Sequence, residues 1–153
     1  RQARQRALSP SFVIETRAGN IFFAGDTGAG DIGWPYEARR YGPIRLALIP
    51  IGAFRFWKGQ MQSDAHIGPI QAVEIFKRLG ASPAIPIHWG TFRLSYEQWD
   101  TPPRMLELAL RGEGIERKRF APLRIGQTIA IPTTSPVERG PRRCDERAIR
   151  ALE

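Results

Sequence analysis

Three side chains in this sequence could together do metal chemistry: Asp26, His66 and His88. The chain contains only two histidines. Asp26 stands two residues after the apolar residues 21–24, and His88 directly follows the apolar residues 84–87. A carboxylate oxygen and an imidazole nitrogen are ligands that suit a divalent ion such as zinc. The alternatives are that Asp26 is a turn residue or helix cap, and that His88 is a structural histidine held by hydrogen bonds.

The pattern of elements around these residues predicts an α/β fold that places Asp26 and His88 at one edge of a sheet. Apolar segments without a helical period predict strands, and apolar residues at helical spacing predict helices. In open α/β sheets, ligands bind at the carboxyl ends of the strands. The predicted strands are 11–16, 21–24, 45–51, 84–87 and 124–131, the first two forming a hairpin, and the predicted helices are 34–41, 69–79 and one beginning at Asp100 or Thr101.

The composition is that of one globular domain. The chain has 153 residues, 42% of them hydrophobic and 25% charged, which is enough for a core. No segment approaches the roughly 20 apolar residues of a membrane span, and the first residues lack the apolar core of a signal peptide. The single cysteine, Cys144, fits a reducing compartment. We therefore expect a cytoplasmic protein, with a peripheral position at a membrane left open, whose domain covers 1–131 and whose residues 132–153 form a mobile tail.

The net charge of +8 permits attraction to nucleic acid, anionic lipid or a phosphate-bearing substrate. The arginines are spread along the chain, which is also typical of a solvated surface. No aromatic-interleaved basic motif of an RNA-binding domain is present, so no nucleic-acid partner is expected. The glycine-rich residues 25–33 lack the Gly-Lys-Ser/Thr ending of a phosphate loop, so nucleotide binding is not predicted either.

The segment 55–64 is a predicted surface loop with an unusual number of large apolar side chains. It carries Phe56, Trp57 and Met61. These residues either line a substrate groove or fold back on the core, and the sequence does not choose between the two.

Four blocks of this sequence, in their order and spacing over residues 6–130, resemble metallo-β-lactamase-fold hydrolases. The likeness is to the N-acyl-phosphatidylethanolamine phospholipase D-like branch, whose relatives include sugar-lactone hydrolases, and it covers the C-terminal half of that fold. The blocks are Gly25-Asp26-Thr27-Gly28, Leu48-Ile49-Pro50-Ile51-Gly52-Ala53, His66 before Pro69-Ile70-Gln71-Ala72-Val73, and Ile87-His88-Trp89-Gly90-Thr91-Phe92.

The resemblance implies a αβ/βα sandwich and a role for each site residue. Asp26 matches the aspartate that bridges two zinc ions, and His88 matches the last histidine ligand of the second zinc. His66 matches a histidine that touches substrate or helps proton transfer. A zinc-bound hydroxide would be the nucleophile on a phosphodiester or ester. The residues implied to border the substrate, besides His66, are Phe54, Phe56, Trp57 and Phe92.

The family's His-x-His-x-Asp-His motif is not found in this sequence, and we expect it to lie N-terminal to Arg1. The chain by itself is therefore expected to bind zinc weakly and to lack hydrolase activity. The alternative is a catalytically dead half-domain that acts as an interaction module or is a truncated gene product. Half of the sandwich would expose apolar sheet surface on the order of several hundred Å², so we expect association with the N-terminal half, a second copy or a partner. Lipid phosphodiester, sugar lactone and generic phosphoester all remain open as substrates.

Overall fold

A four-stranded sheet with helices against one face makes up residues 10–134, the part of the chain that the computed structural model describes. This is the α/β fold predicted from the sequence. In chain order the elements are β1 (Phe12–Ile14), β2 (Asn20–Phe23), α1 (Trp34–Arg39), β3 (Ile44–Pro50), α2 (Pro69–Leu79), β4 (Ala84–Ile87), α3 (Thr101–Gly112) and a short 3₁₀ helix (Arg117–Arg119).

The strands lie in the sheet in the order β1-β2-β3-β4. β1 and β2 form the predicted antiparallel hairpin, turned by Gly19 at a φ of 107° that favours glycine. β2, β3 and β4 are parallel, and α1 and α2 are their crossover helices. Three consecutive parallel strands therefore end at the same edge of the sheet.

The core lies between one sheet face and the helices. Phe22, Ala47 and Ala84 occupy one row across three strands, and they belong to the same buried cluster as Val73 and Phe76 of α2. Apolar side chains at helical spacing on α2 meet alternate side chains of each strand, which is the packing that the two periodicities dictate.

The opposite sheet face, which we call the second face, is also apolar but lies outside that core cluster in residues 10–134. Its two positions on β1, Phe12 and Ile14, are 52% and 50% exposed, whereas Leu46 in the middle of the sheet is buried. The second face is therefore most exposed at its β1 edge and covered in the middle of the sheet. The apolar residues of this face are Phe12, Ile14, Ile21, Phe23, Leu46, Leu48, Ile85 and Ile87.

Helix α2 has the limits predicted from its sequence. Gly68 precedes it as the N-cap, Pro69 opens it, and Gly80 closes it in the left-handed conformation at a φ of 61°. Helix α3 begins after Asp100, whose side chain does not cap the helix and instead pairs with Arg104 at 3.1 Å.

The predicted strand over 124–131 is wrong. Arg124 and Gln127 close a turn, in which the Gln127 N–H donates to the Arg124 carbonyl at 2.9 Å and the Gln127 side chain accepts from the Arg124 N–H at 2.9 Å. Gly126 takes a φ of 81° within it, and Ile125 is fully exposed. The alternation of apolar and polar residues is typical of a strand. Here Gly126 forms a turn instead, so the segment does not pair with a strand of the sheet.

The predicted domain boundary at residue 131 stays a prediction. Thr134 donates its N–H to the Ala18 carbonyl at 2.9 Å. Residues 1–9 and the rest of the predicted tail, 135–153 with Cys144, lie outside the described residues. Among residues 10–134 no helix is long and apolar enough to cross a membrane.

Candidate metal centre

The backbone of the site is built where the parallel strands end. Ala24 donates its N–H to the Leu48 carbonyl at 3.0 Å, and Ile51 donates to the Ile87 carbonyl at 3.1 Å. These bonds continue the two parallel ladders past the strand limits. His88, the first residue after β4, is therefore anchored on a paired backbone.

Gly52 lets the backbone of His88 and Trp89 pass closely over the end of the central strand. Because β3 separates β2 from β4, the two outer strand ends are about 10 Å apart. A Cβ on Gly52 would overlap the His88 carbonyl oxygen and come to 3.0 Å from Trp89 Cβ. His88 itself turns with a φ of 58°, a left-handed conformation that costs a non-glycine residue about 1–2 kcal/mol. Packing around the Gly52 backbone holds that turn in place.

The loop before α2 is held against the Asp26 loop. Ile67 donates its N–H to the Thr27 carbonyl at 3.2 Å. A Cβ on Gly28 would overlap the carbonyl oxygen of Asp64, so the two backbones approach as closely as only glycine allows. His66 lies between these contacts and is carried toward Asp26.

Ser63 and Gln71 fix the backbone of His66. The Ser63 hydroxyl accepts the His66 N–H at 3.2 Å and donates to the His66 carbonyl at 3.0 Å. The Gln71 side chain donates to the Ser63 carbonyl at 3.2 Å and accepts the Gly68 N–H at 3.1 Å. The first turn of α2 thereby orients the loop that carries His66.

The structure brings Asp26, His66 and His88 together. His66 Nε2 lies 3.2 Å from Asp26 Oδ1, and His88 Nε2 lies 3.5 Å from the same oxygen. The imidazole rings are stacked with their centroids 5.4 Å apart. One potential ligand atom from each residue lies within 4.8 Å of the others, so the three side chains form a candidate metal site.

The donor set of this cluster fits a divalent metal ion. The side chains of His66 and His88 are 24% and 25% exposed, and the Asp26 side chain is 61% exposed. The carboxylate is therefore the part of the cluster that faces solvent. The Nδ1 atoms of His66 and His88 are buried and have no hydrogen-bond partner within residues 10–134. Metal-binding histidines usually donate from the second ring nitrogen, so the described residues supply the ligands without their outer hydrogen bonds.

A groove of about 420 Å³ opens beside His88. Its walls are residues 88–95 and 97–99, with Gly52 and Ala53 on one side and Pro102 at the start of α3. Phe92 and Trp99 are 74% and 60% exposed there. The groove, which is largely apolar, therefore begins at His88 of the cluster.

The aromatic residues predicted to border a substrate lie in different places. Phe92 lines the groove, and the Phe56 ring lies 5.8 Å from the His66 ring. Trp57 is 62% exposed but is not among the residues that line the groove. Since Phe56, Trp57 and Met61 are all exposed, the interpretation that their loop folds back on the core is wrong.

Phe54 corrects the predicted substrate set. It is completely buried, and a Cβ on Gly68 would lie 3.0 Å from its ring. Phe54 anchors the loop under the start of α2 and offers no surface to a substrate. The sequence could not show this, because a phenylalanine at a strand end suits either place.

Sequence reasoning missed the groove-lining segment after Phe92 and the buried carboxylate of Glu97. Apolar and polar residues alternate in Phe92-Arg93-Leu94-Ser95-Tyr96, and this pattern could have predicted a segment with one apolar and one polar side. Glu97 gave no such signal, because a single acidic residue in a polar stretch is usually exposed. Glu97 is only 7% exposed.

Comparison with known proteins decides the family. Residues 1–89, more than half of the chain, match the model of the beta-lactamase superfamily domain. This chain belongs to the metallo-β-lactamase superfamily. The resemblance drawn from the four sequence blocks is thereby confirmed. The cluster of Asp26, His66 and His88 at the strand ends of this chain is its candidate metal site.

Superfamily members with curated names are similar to a large part of this chain. An N-acyl-phosphatidylethanolamine-hydrolyzing phospholipase D from Caenorhabditis elegans is 34% identical over 70% of this chain and 30% of its own length. A mitochondrial enzyme of that name from Saccharomyces cerevisiae is 33% identical over 80% and 26% of the two chains. An uncharacterized Mycobacterium tuberculosis protein is 34% identical over 74% and 30%. The chain thus spans less than a third of the length of these relatives.

Among solved structures, a proposed Zn-dependent hydrolase of the metallo-β-lactamase superfamily from Thermotoga maritima is 26% identical. The superposition covers 64% of this chain and 43% of the other, with a TM-score of 0.47.

Proposed function

We propose that this chain supplies one side of the active site of a zinc-dependent hydrolase that acts on a phosphodiester or ester. The observation that carries the proposal is the convergence of Asp26, His66 and His88 within 4.8 Å at the carboxyl edge of a parallel sheet. Membership in a hydrolase superfamily supports it. A bound zinc ion would supply Lewis acidity and a nucleophile at neutral pH.

Asp26 and His88 are the proposed zinc ligands. A catalytic zinc takes about three protein ligands plus an open position, and the complete family domain would hold two ions. Two histidines and the one aspartate that converges with them within residues 10–134 are too few for two ions. The remaining ligands therefore come from outside this sequence, and the 153-residue chain alone is expected to bind zinc weakly and to be inactive.

His66 is proposed to act on substrate and on protons. Its Nε2 lies 3.2 Å from Asp26 Oδ1, so Asp26 can hold a proton at that nitrogen and fix the tautomer. The ring of Phe56 lies 5.8 Å away and limits how far the imidazole can swing. Because Nδ1 of His66 is buried, the proton for a leaving oxygen would come from Nε2, its hydrogen bond passing from Asp26 to the leaving oxygen.

The groove would hold the bulk of an amphipathic substrate. Phe92 and Trp99 give it apolar walls, while Arg93 also lines it. The names of the curated relatives describe hydrolysis of a phospholipid, which supports a lipid-like phosphodiester for this chain. Such a substrate also supports a protein that works at a membrane surface.

Metal analysis of two histidine variants tests the assignment. The experiments use the intact protein, by which we mean the longer protein to which the proposal assigns this chain. In it, His88→Ala is expected to lose most of its zinc, because the substitution removes a ligand. His66→Ala is expected to keep its zinc, while hydrolysis of N-acyl-phosphatidylethanolamine, whose leaving alkoxide needs a proton, falls on the order of 100-fold or more, the size of a lost proton-transfer group. Zinc is measured by atomic emission on dialysed protein.

The control for this experiment is His66→Gln, which keeps a hydrogen-bonding side chain at the same place. Retained zinc in His88→Ala would contradict the ligand assignment. Loss of zinc in His66→Ala would make His66 a ligand rather than a proton-transfer residue.

A second function is supported by the partly exposed second face. A half-domain with an incomplete ligand set can persist as an interaction module, and half-exposed Phe12 and Ile14 provide an apolar contact surface. The metal-free state of the intact protein, together with a stable complex through that face, would favour this module over the hydrolase.

A further inference from the structure

The carboxylate of Glu97 is buried and is held by backbone amides rather than by a cation. Glu97 Oε1 accepts the Phe54 N–H at 3.3 Å, and Oε2 accepts the Arg55 N–H at 3.1 Å. The residue is 7% exposed, and no cationic group within residues 10–134 forms an ion pair with it. A buried carboxylate without a cation is tolerated only where such donors satisfy it.

The two amides belong to a tight turn at the end of β3. Ala53, just before them, takes a φ of 58°, so the chain turns and presents consecutive N–H groups on one side. Consecutive amides in such a turn form a concave anion-binding site. Tyr96 adds a third bond by donating its N–H to the Arg55 carbonyl at 2.7 Å. We call these three hydrogen bonds the Glu97 clamp.

The clamp connects the wall of the groove to the turn at His88. Gly52 and Ala53 line one side of the groove, and Glu97 lines the other. Gly52 in turn is packed against the His88 carbonyl. A shift of the turn at residues 53–55 would therefore open the groove, while the bond from the Ile51 N–H to the Ile87 carbonyl still holds the backbone before His88.

We propose that Glu97 is a positioning residue that fixes the width of the groove by clamping the turn after β3 to the segment after Phe92. Its role in substrate binding rests on the proposed hydrolase function, whereas the clamp itself does not. Glu97 acts through the amides of Phe54 and Arg55 and does not touch the reacting atoms. Its loss is expected to weaken substrate binding more than the chemical step.

Hydrogen exchange of the intact, zinc-loaded protein tests the clamp without any substrate. Glu97→Gln keeps the shape but replaces one acceptor oxygen with an NH₂ group that cannot accept. Peptides covering 53–57 are expected to exchange about tenfold faster, the effect of losing one charge-assisted hydrogen bond. Peptides of α2, residues 69–79, are expected to stay unchanged. Unchanged exchange at 53–57, or an equal increase in α2, would overturn the clamp.

Two further variants test the assignment of the clamp to Glu97. Glu116→Gln removes an exposed carboxylate that pairs only with Lys118 within residues 10–134 and is the matched control, expected to exchange as wild type. Glu97→Asp keeps both acceptor oxygens on a shorter stem and is expected to fall between wild type and Glu97→Gln. If Glu97→Gln does not fold, the same comparison with Glu97→Asp decides the proposal.

Kinetics with bis(p-nitrophenyl) phosphate test the positioning role. For Glu97→Gln we expect KM to rise about fivefold or more with kcat within about twofold, the pattern of lost uniform binding. An equal fall in kcat at constant KM would overturn the positioning role. Absence of hydrolysis by the wild-type protein would count against the proposed function alone, because the exchange experiment decides the clamp independently.

Discussion

At the scale of single residues, the site depends on a position where glycine has no Cβ atom and the backbones can approach closely. Asp26 and His88 follow strands that the sequence identified, so their place at one sheet edge could be predicted from residue type and order. The close packing of Gly52 against His88 could not, because nothing in a strand-ending glycine shows which backbone will approach it. The left-handed turn of His88 was hidden for the same reason.

Substitution of Gly52 by alanine is expected to disturb the site directly. The added Cβ would overlap the His88 carbonyl oxygen, and overpacking of this kind costs about 1–3 kcal/mol. Zinc affinity of the intact protein should fall together with the free energy of unfolding, both measured at one pH, by metal titration and by urea denaturation.

The matched control for this substitution is Gly112→Ala at the end of α3. A Cβ there meets nothing within 4 Å, and alanine favours a helix over glycine by up to about 1 kcal/mol. Wild-type zinc affinity in Gly52→Ala would show that the close approach is not needed for the site.

At the scale of elements, α2 has two structural roles. Its apolar side packs on the sheet, and its first turn orients His66 through Gln71. The packing on the sheet was predictable, because apolar residues recur at helical spacing between Pro69 and Gly80. The orientation of His66 was not, because the contact of Gln71 with Ser63 depends on how the preceding loop folds. Likewise, the false strand at 124–131 had the right alternation but no neighbouring strand to pair with.

The polar side of α2 predicts how stability depends on pH. A hydrogen bond from Arg78, helped by Lys77, holds the pKa of Glu74 below its usual value, and Lys77 also reaches Glu113, the residue after α3, at 2.7 Å. A lowered pKa in the folded state means that the folded protein binds fewer protons. This contribution to stability is therefore complete above the pKa of the unfolded state and is lost as the pH falls through the lowered folded pKa.

Urea denaturation between pH 7 and pH 3 measures this contribution. Glu74→Gln is expected to unfold more easily than wild type at pH 7 and to lose less stability on acidification. Because these side chains are partly exposed, the difference should shrink in about 1 M salt, where the Debye length is near 3 Å. Parallel pH curves for the two proteins would contradict the assignment to Glu74.

At the scale of the whole molecule, the helices described in residues 10–134 pack on the other sheet face, and the second face stays partly exposed at its β1 edge. That exposed apolar sheet surface was expected from the resemblance to half of a sandwich, and the exposure of Phe12 and Ile14 agrees with it. Which surface covers the face stays a prediction. The chain spans less than a third of its curated relatives, so the remaining length leaves room for a covering half.

The isolated 153-residue chain is therefore expected to self-associate through the second face. Replacing Phe12 and Ile14 together by lysine should shift its molar mass, measured by light scattering at micromolar concentration, toward the monomer. Leu108→Lys is the control, because Leu108 is a 61% exposed residue of α3 away from this face. Persistent association of the double variant would mean that another surface joins the copies.

The apolar character of the second face also gives its covering a temperature dependence. Attraction between apolar surfaces near room temperature is mainly entropic, with a large heat-capacity change, and it weakens on cooling. Contacts made through this face should loosen in the cold even while the hydrogen-bonded strand ends stay intact. Chilling is therefore expected to separate the second face from its partner surface before the sheet that carries Asp26 and His88 unfolds.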